Sequence, residues 1–149
     1  MTTPQRSGNA SSVLAAHLDL IGRDITAWLG LFEDDAIVEF PYAASLGMSG
    51  RLDGKAAIEQ YFRGTPGTFR ELRFRDLRPL PSSDPDLAVA EVHGSARIGP
   101  TGEAYEQDYV MLLRTRQGRI VHYTEYWNPL PAIIAFGGSV QLPARGFGS

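Results

Sequence analysis

The chain has 149 residues, the length of one domain of ordinary size. Its 43% hydrophobic content is enough for a core, and a net charge of -3 leaves no basic footprint for nucleic acid or an anionic membrane. The absence of cysteine excludes disulfides, thiolate nucleophiles and thiolate metal sites.

Met1 to Ala10 reads as a disordered arm. It has no apolar signal-peptide core, so a cytoplasmic location is expected. No apolar run approaches the ~20 residues of a membrane span. Ser11 or Ser12 can cap a helix in which Leu14, His17, Leu18 and Ile21 share one face. Gly22 ends it, and Asp24 can cap a second helix with Ile25, Trp28, Leu29 and Phe32 at the same spacing. Glu33-Asp34-Asp35 reads as a solvated turn, and Ala36 to Phe40 as a strand stopped by Pro41.

Tyr42 to Leu52 reads as a loop. Asp53 or Gly54 opens a third helix with Ile58 and Tyr61 or Phe62 on its buried side, broken by Gly64 to Gly67. The helical period then disappears. Phe69 to Leu80, Leu87 to Ile98, Glu103 to Arg114 and Arg119 to Trp127 read as strands, separated by Pro81 to Asp86, Gly99 to Gly102 and Gln117-Gly118. Helices followed by an antiparallel meander is an α+β order. One domain over 11–136 is expected, with a loose Gly-rich tail over 137–149.

Strand register predicts a constellation. If both final hairpins have even loops, at Pro100-Thr101 and Gln117-Gly118, His93 faces Asp108 and Glu91 faces Val110. Val110 then faces Glu125, and Asp108 faces Trp127. One face carries Glu91, His93, Asp108 and Glu125 among Val89, Leu112, Tyr123 and Trp127. The other carries Gln107, Tyr109, Met111, Thr124 and Tyr126. Carboxylates and an imidazole among apolar groups can be tuned for acid/base chemistry near neutral pH. The same pattern is also that of the wet face of a half-exposed sheet. His17 and His122 are assigned to structure. His17, His93 and His122 lie too far apart for a metal motif, so no metal and no cofactor is expected.

The runs Leu31-Phe32-Glu33-Asp34-Asp35-Ala36-Ile37-Val38-Glu39-Phe40-Pro41, Gly54-Lys55-Ala56-Ala57-Ile58, Gly118-Arg119-Ile120 and Glu125-Tyr126-Trp127-Asn128-Pro129, in that order, resemble the nuclear transport factor 2-like superfamily. The resemblance spans about Ser12 to Phe136. It includes ketosteroid isomerases, SnoaL-like polyketide cyclases, limonene epoxide hydrolase and the phenazine-biosynthesis A/B proteins. It implies a cystatin-like cone: N-terminal helices packed on a curved antiparallel sheet, enclosing a pocket for a small apolar or aromatic molecule, usually in a homodimer.

The resemblance also separates the chemistries. Where ketosteroid isomerases carry an aspartate base this chain has Phe40, and their first-helix tyrosine falls at Ala16. The Arg-x-Asp pair of the epoxide hydrolases falls near Glu91-Val92-His93, and the phenazine-protein helix histidine near Tyr61. The last-strand carboxylate, which acts as acid/base in SnoaL-like cyclases and in the phenazine proteins, falls at Glu125. The expected catalytic set is therefore Glu125, Asp108 and His93, with Glu91, Trp28, Phe40, Tyr61, Tyr123 and Trp127 binding substrate. The implied activity is a cofactor-free cyclase, isomerase or dehydratase of antibiotic-type secondary metabolism. An epoxide hydrolase and a non-catalytic binding module are the alternatives. Homodimerisation is expected through the face holding Tyr109, Met111, Thr124 and Tyr126.

Overall fold

A computed structural model describes residues 9–144. Helix α1 (Ala10–Leu20) begins earlier than caps at Ser11 or Ser12 imply, because the Asn9 side chain accepts from Ser12 N at 2.9 Å and caps it. Asn9 and Ala10 therefore belong to the helix start. The rest of the expected arm lies outside the described residues. Asp24 caps α2 (Ile25–Leu29) as read, accepting from Ala27 N. The acidic run Glu33-Asp34-Asp35 is not a turn. It sits within β1 (Phe32–Glu39), where the pairing register shifts between Phe32 and Ile37 and leaves these side chains outward.

The stretch after β1 is not all loop: it holds a 3-10 turn (Ala43–Leu46) and the short edge strand β2 (Arg51–Asp53). Helix α3 (Lys55–Phe62) follows Gly54, whose φ of 90° only glycine adopts readily. A single turn, α4 (Thr65–Thr68), occupies the expected break. The meander then runs through β3 (Phe69–Leu80), β4 (Leu87–Ile98), β5 (Ala104–Arg116) and β6 (Arg119–Trp127). No element is expected between Trp127 and the tail at Gly137, but one forms there. Asn128 caps a last helix, α5 (Pro129–Ala135), accepting from Leu130 N at 3.0 Å, with proline at its start where a missing N–H costs nothing. Residues 137–144 carry no helix or strand, and the rest of the expected tail lies outside the described residues.

The six strands form one sheet in the order β2-β1-β6-β5-β4-β3, antiparallel except where β1 runs parallel to β6. Register shifts along β3, with Glu71 and Asp76 at φ 55°, mark bulges that bend this edge strand. The helices cover the concave side. There Trp28, Phe32, Val38, Ile58, Met111 and Leu113 are wholly buried. Gly94 belongs to the same side: a Cβ there would stand 2.7 Å from Tyr109 Cε2, so its hydrogen makes room for that ring and for Phe74. None of the described helices is long and apolar enough to cross a membrane.

Candidate functional site

The register of β4 against β5 is as read: His93 opposes Asp108 and Glu91 opposes Val110. The next hairpin begins as read too. Gln117 and Gly118, both at positive φ, make a two-residue turn that pairs Arg116 with Arg119 and Thr115 with Ile120. One step later Arg114 pairs with His122, so Val121 has no partner on β5. This one-residue bulge moves every later side chain of β6 to the opposite face. Glu125 opposes Met111, not Val110, and Trp127 opposes Tyr109, not Asp108.

The expected constellation is therefore split across the sheet. Glu125, Tyr123 and Trp127 face the concave side. Glu91, His93 and Asp108 face the convex side and reach no cavity shared with Glu125. His93 Nδ1 lies 2.8 Å from Asp108 Oδ1, and its Nε2 lies 2.5 Å from Glu106 Oε2. These hydrogen bonds, Asp108 first, hold the His93 pKa above its ordinary value, with the Arg75 charge opposing. Glu91 accepts from Arg78 at 2.6 Å. The proposed dimer face is corrected in the same way. Tyr109 and Met111 are buried on the concave side, and only Thr124 and Tyr126 of that set face outward.

Between the concave face and the helices lies a cavity of about 610 Å³. Phe40 and Tyr61, stacked with ring centroids 5.3 Å apart, form one wall. Phe74, Tyr105, Tyr109 and Trp127 line the sheet side, and Ile133 and Phe136 close it from α5. That helix is held in place by Gln107, buried on β5. Gln107 Oε1 accepts from Asn128 N at 3.0 Å, and its Nε2 donates to Asn128 O at 2.8 Å. Phe40, Tyr61, Trp127 and Glu125 thus line the cavity. Trp28 and Tyr123 do not: both are fully buried, one layer behind the wall.

Among the described residues, no arginine, lysine or histidine lines this cavity. The one carboxyl group that the described residues bring to it is Glu125. Burial raises the Glu125 pKa from 4.5 to about 7, against the opposing hydrogen bond from Tyr123. The phenols of Tyr61, Tyr105 and Tyr109 are held above their ordinary range, first by burial and, in each case, also by the charge on Glu125. Near neutral pH the cavity therefore offers one group that can both take and give a proton, among hydroxyls that only donate or accept hydrogen bonds.

The sequence reading missed what supports Glu125. The Tyr123 hydroxyl donates to Glu125 Oε1 at 2.8 Å, His17 Nε2 lies 3.1 Å from that hydroxyl, and Trp28 Nε1 donates to His17 Nδ1 at 2.8 Å. The available signal was a histidine on the apolar stripe of α1, which marks a buried polar group needing partners. The partners themselves come from α2 and β6, far along the chain.

Residues 15–123 match the family described as the SnoaL-like domain. An uncharacterised PhzA/B-like protein of Pseudomonas aeruginosa is 37% identical over 138 residues, covering 92% of this chain and 96% of its own length. The crystal structure of a candidate isomerase from Bacillus subtilis superposes with a TM-score of 0.81 at 36% identity, over 87% of this chain and 94% of that one. A phenazine biosynthesis-related protein from Pseudomonas aeruginosa superposes with a TM-score of 0.78, over 94% of this chain and 93% of that one. At 17% identity that likeness is one of fold.

Proposed function

The chain belongs to the SnoaL-like family, and from that premise we propose that it is a small-molecule enzyme that moves a proton with Glu125 on an uncharged, largely apolar or aromatic substrate. The observation that carries this reading is the position of Glu125: among the described residues it is the single carboxyl in an otherwise largely apolar and phenolic cavity, with its pKa raised to about 7. A cavity of about 610 Å³ suits a ligand of drug-like size. The described residues bring no cation to it that could pair with a carboxylate or phosphate, and burying such a charge unpaired is costly.

The chemistry that fits is proton relocation. The carboxylate form of Glu125 removes a proton from a carbon acidified by a neighbouring carbonyl. The electron pair moves onto the carbonyl oxygen, where a cavity phenol can donate a hydrogen bond. Glu125 then returns the proton at a second atom. Isomerisation, enol-driven ring closure and dehydration all contain this step. A hydrolase whose water is held by Glu125 and Asp108 together lacks its geometry, because the two side chains lie on opposite faces.

The test uses a bicyclic aryl ketone such as tetralone as probe. Binding is followed by fluorescence, and exchange of the hydrogens next to the carbonyl is followed in heavy water. Exchange catalysed by the native chain and lost in Glu125→Gln supports the reading. Equal exchange in both removes Glu125 from it, and binding without exchange in either favours a carrier.

The same chain is proposed to pair as a homodimer through the convex face. There Tyr42 and Tyr126 pack edge to face beside Val110, and Tyr42 and Val110 are exposed at 48% and 38%.

A further inference from the structure

Among the described residues, His17 is a wholly buried titratable group that takes no part in the proposed chemistry, held on α1 against Trp28 of α2 and Tyr123 of β6. Its surroundings fix every hydrogen near it. The indole N–H of Trp28 can only donate, so His17 Nδ1 must accept. Desolvation by burial lowers the His17 pKa from 6.5 to about 3, so the ring is neutral at ordinary pH, and its one hydrogen sits on Nε2. That hydrogen points to the Tyr123 oxygen at 3.1 Å. Tyr123 therefore receives from His17 and has its own hydrogen left for Glu125 Oε1 at 2.8 Å. All three hydrogens run the same way, from Trp28 toward Glu125. Glu125 Oε2 has no hydrogen-bond partner among the described residues and is not sealed from solvent, and Glu125 lines the cavity.

We propose that Trp28 and His17 are positioning residues: through Tyr123 they fix the direction of hydrogen bonding into Glu125, so that Oε1 always accepts and Oε2 alone exchanges protons with a molecule in the cavity. This rests on Glu125 being the acid/base group, and it adds how that group is aimed. A carboxyl free to rotate, or one facing a tyrosine that could turn its hydrogen elsewhere, would present its proton to the wall as often as to a substrate. The other titratable groups around Glu125 are the phenols of Tyr61 on α3 and of Tyr105 and Tyr109 on β5. None of these supplies a competing positive charge.

The test needs no substrate. Nitrogen-15 NMR of the native chain reads the His17 tautomer, and infrared spectra of carbon-13-labelled glutamate follow Glu125 protonation against pH. The native chain is expected to show hydrogen on His17 Nε2 only. Tyr123→Phe, which removes one hydroxyl and keeps the ring, is expected to raise the Glu125 midpoint by about one to two pH units, the worth of a hydrogen bond to a charged group. Trp28→Phe leaves both Tyr123 and Glu125 untouched. It is nevertheless expected to let hydrogen move to Nδ1, turn Tyr123 toward His17, and raise the Glu125 midpoint in the same direction.

A native His17 carrying hydrogen on Nδ1 would overturn the proposal without any variant. So would a Glu125 midpoint unmoved by Tyr123→Phe, or a folded Trp28→Phe protein with native tautomer and native midpoint. A merely structural Trp28 would change stability and leave both spectra alone. If the spectra behave as expected but ketone exchange survives Glu125→Gln, the relay stands and the acid/base reading of Glu125 falls.

Discussion

Tyr123 and Glu125 are two residues apart on β6, share its concave face, and are joined by a 2.8 Å hydrogen bond, yet only Glu125 touches the cavity. The buried residue stands behind the open one. This pairing makes Glu125 separable from its support, and the first expected outcome concerns it alone. Glu125→Gln keeps the shape and can still accept from Tyr123, but it exchanges no proton at neutral pH. Loss of about 10²–10⁴-fold in turnover is expected, with ligand affinity largely kept. Parallel rate and binding titrations check this, and turnover within a few-fold of native would rule out the assignment.

Stability should depend on pH through Glu125 and His17 with opposite signs. The Glu125 pKa is raised from 4.5 to about 7, so across that window the folded chain holds a proton that the unfolded chain has released. Its contribution is complete below 4.5 and is lost as pH rises through 7. The His17 pKa is lowered from 6.5 to about 3, so the unfolded chain takes a proton that the folded chain refuses. That contribution is complete above 6.5 and is lost as pH falls toward 3. Each slope approaches roughly 1.4 kcal/mol per pH unit in its window, and between 4.5 and 6.5 they offset one another. Urea unfolding across pH should show Glu125→Gln gaining stability as pH rises to 6.5, and His17→Gln losing it as pH rises from 4.5 to 7. Parallel curves for all three proteins would contradict both assignments.

Asp108→Asn and His93→Gln should leave turnover within about 2-fold of native, since distant surface changes rarely reach a site on the other side of a sheet. Asp108→Asn should instead lower the His93 midpoint, because the partner that raises it is gone. Proton NMR of the histidines and a rate assay are enough. A large loss of rate in either variant would mean that the convex face reaches the chemistry.

Tyr126→Lys places a charge beside Tyr42 on the convex face. Light scattering at micromolar concentration should show a dimer for the native chain and a monomer for this variant, with ligand binding in the concave cavity retained. A native monomer would remove the convex face as an interface.

Much of the architecture is legible in the chain because breakers and periodicity agree. Pro81 to Asp86 and Gly99 to Gly102 bound β4, whose read limits match the structure. Asp24 announces α2. The candidate site is half legible. Phe40, Tyr61, Glu125 and Trp127 reach the cavity, whereas His93 and Asp108 pair as read but on the wrong side of the sheet. The reason is local. Nothing in Ile120-Val121-His122 distinguishes a bulge from regular strand, since β-branched and aromatic residues suit both. The Trp28–His17–Tyr123 chain was hidden for another reason: its members are brought together by packing across elements, and no spacing encodes that. Helix α5 also leaves a mark, because Asn128-Pro129 is a cap followed by a good first residue, yet the strand pattern stops at Trp127 and no element is expected between it and the tail at Gly137.

The bulge at Val121 gives the chain a spare residue. Val121 has no partner on β5, so removing its single codon would take out the bulge and leave Arg114 opposite His122 and Glu125 opposite Met111. The carboxyl would stay on the concave side. A gained residue has no such slack: one codon added between His122 and Tyr123 would set Glu125 opposite Val110, carry the carboxyl to the convex face beside His93 and Asp108, and bring Tyr126 inward in its place. This stretch of β6 therefore tolerates loss and not gain. A lineage could shed the bulge and keep its inner surface, whereas a single added codon would exchange inner and outer surfaces in one event.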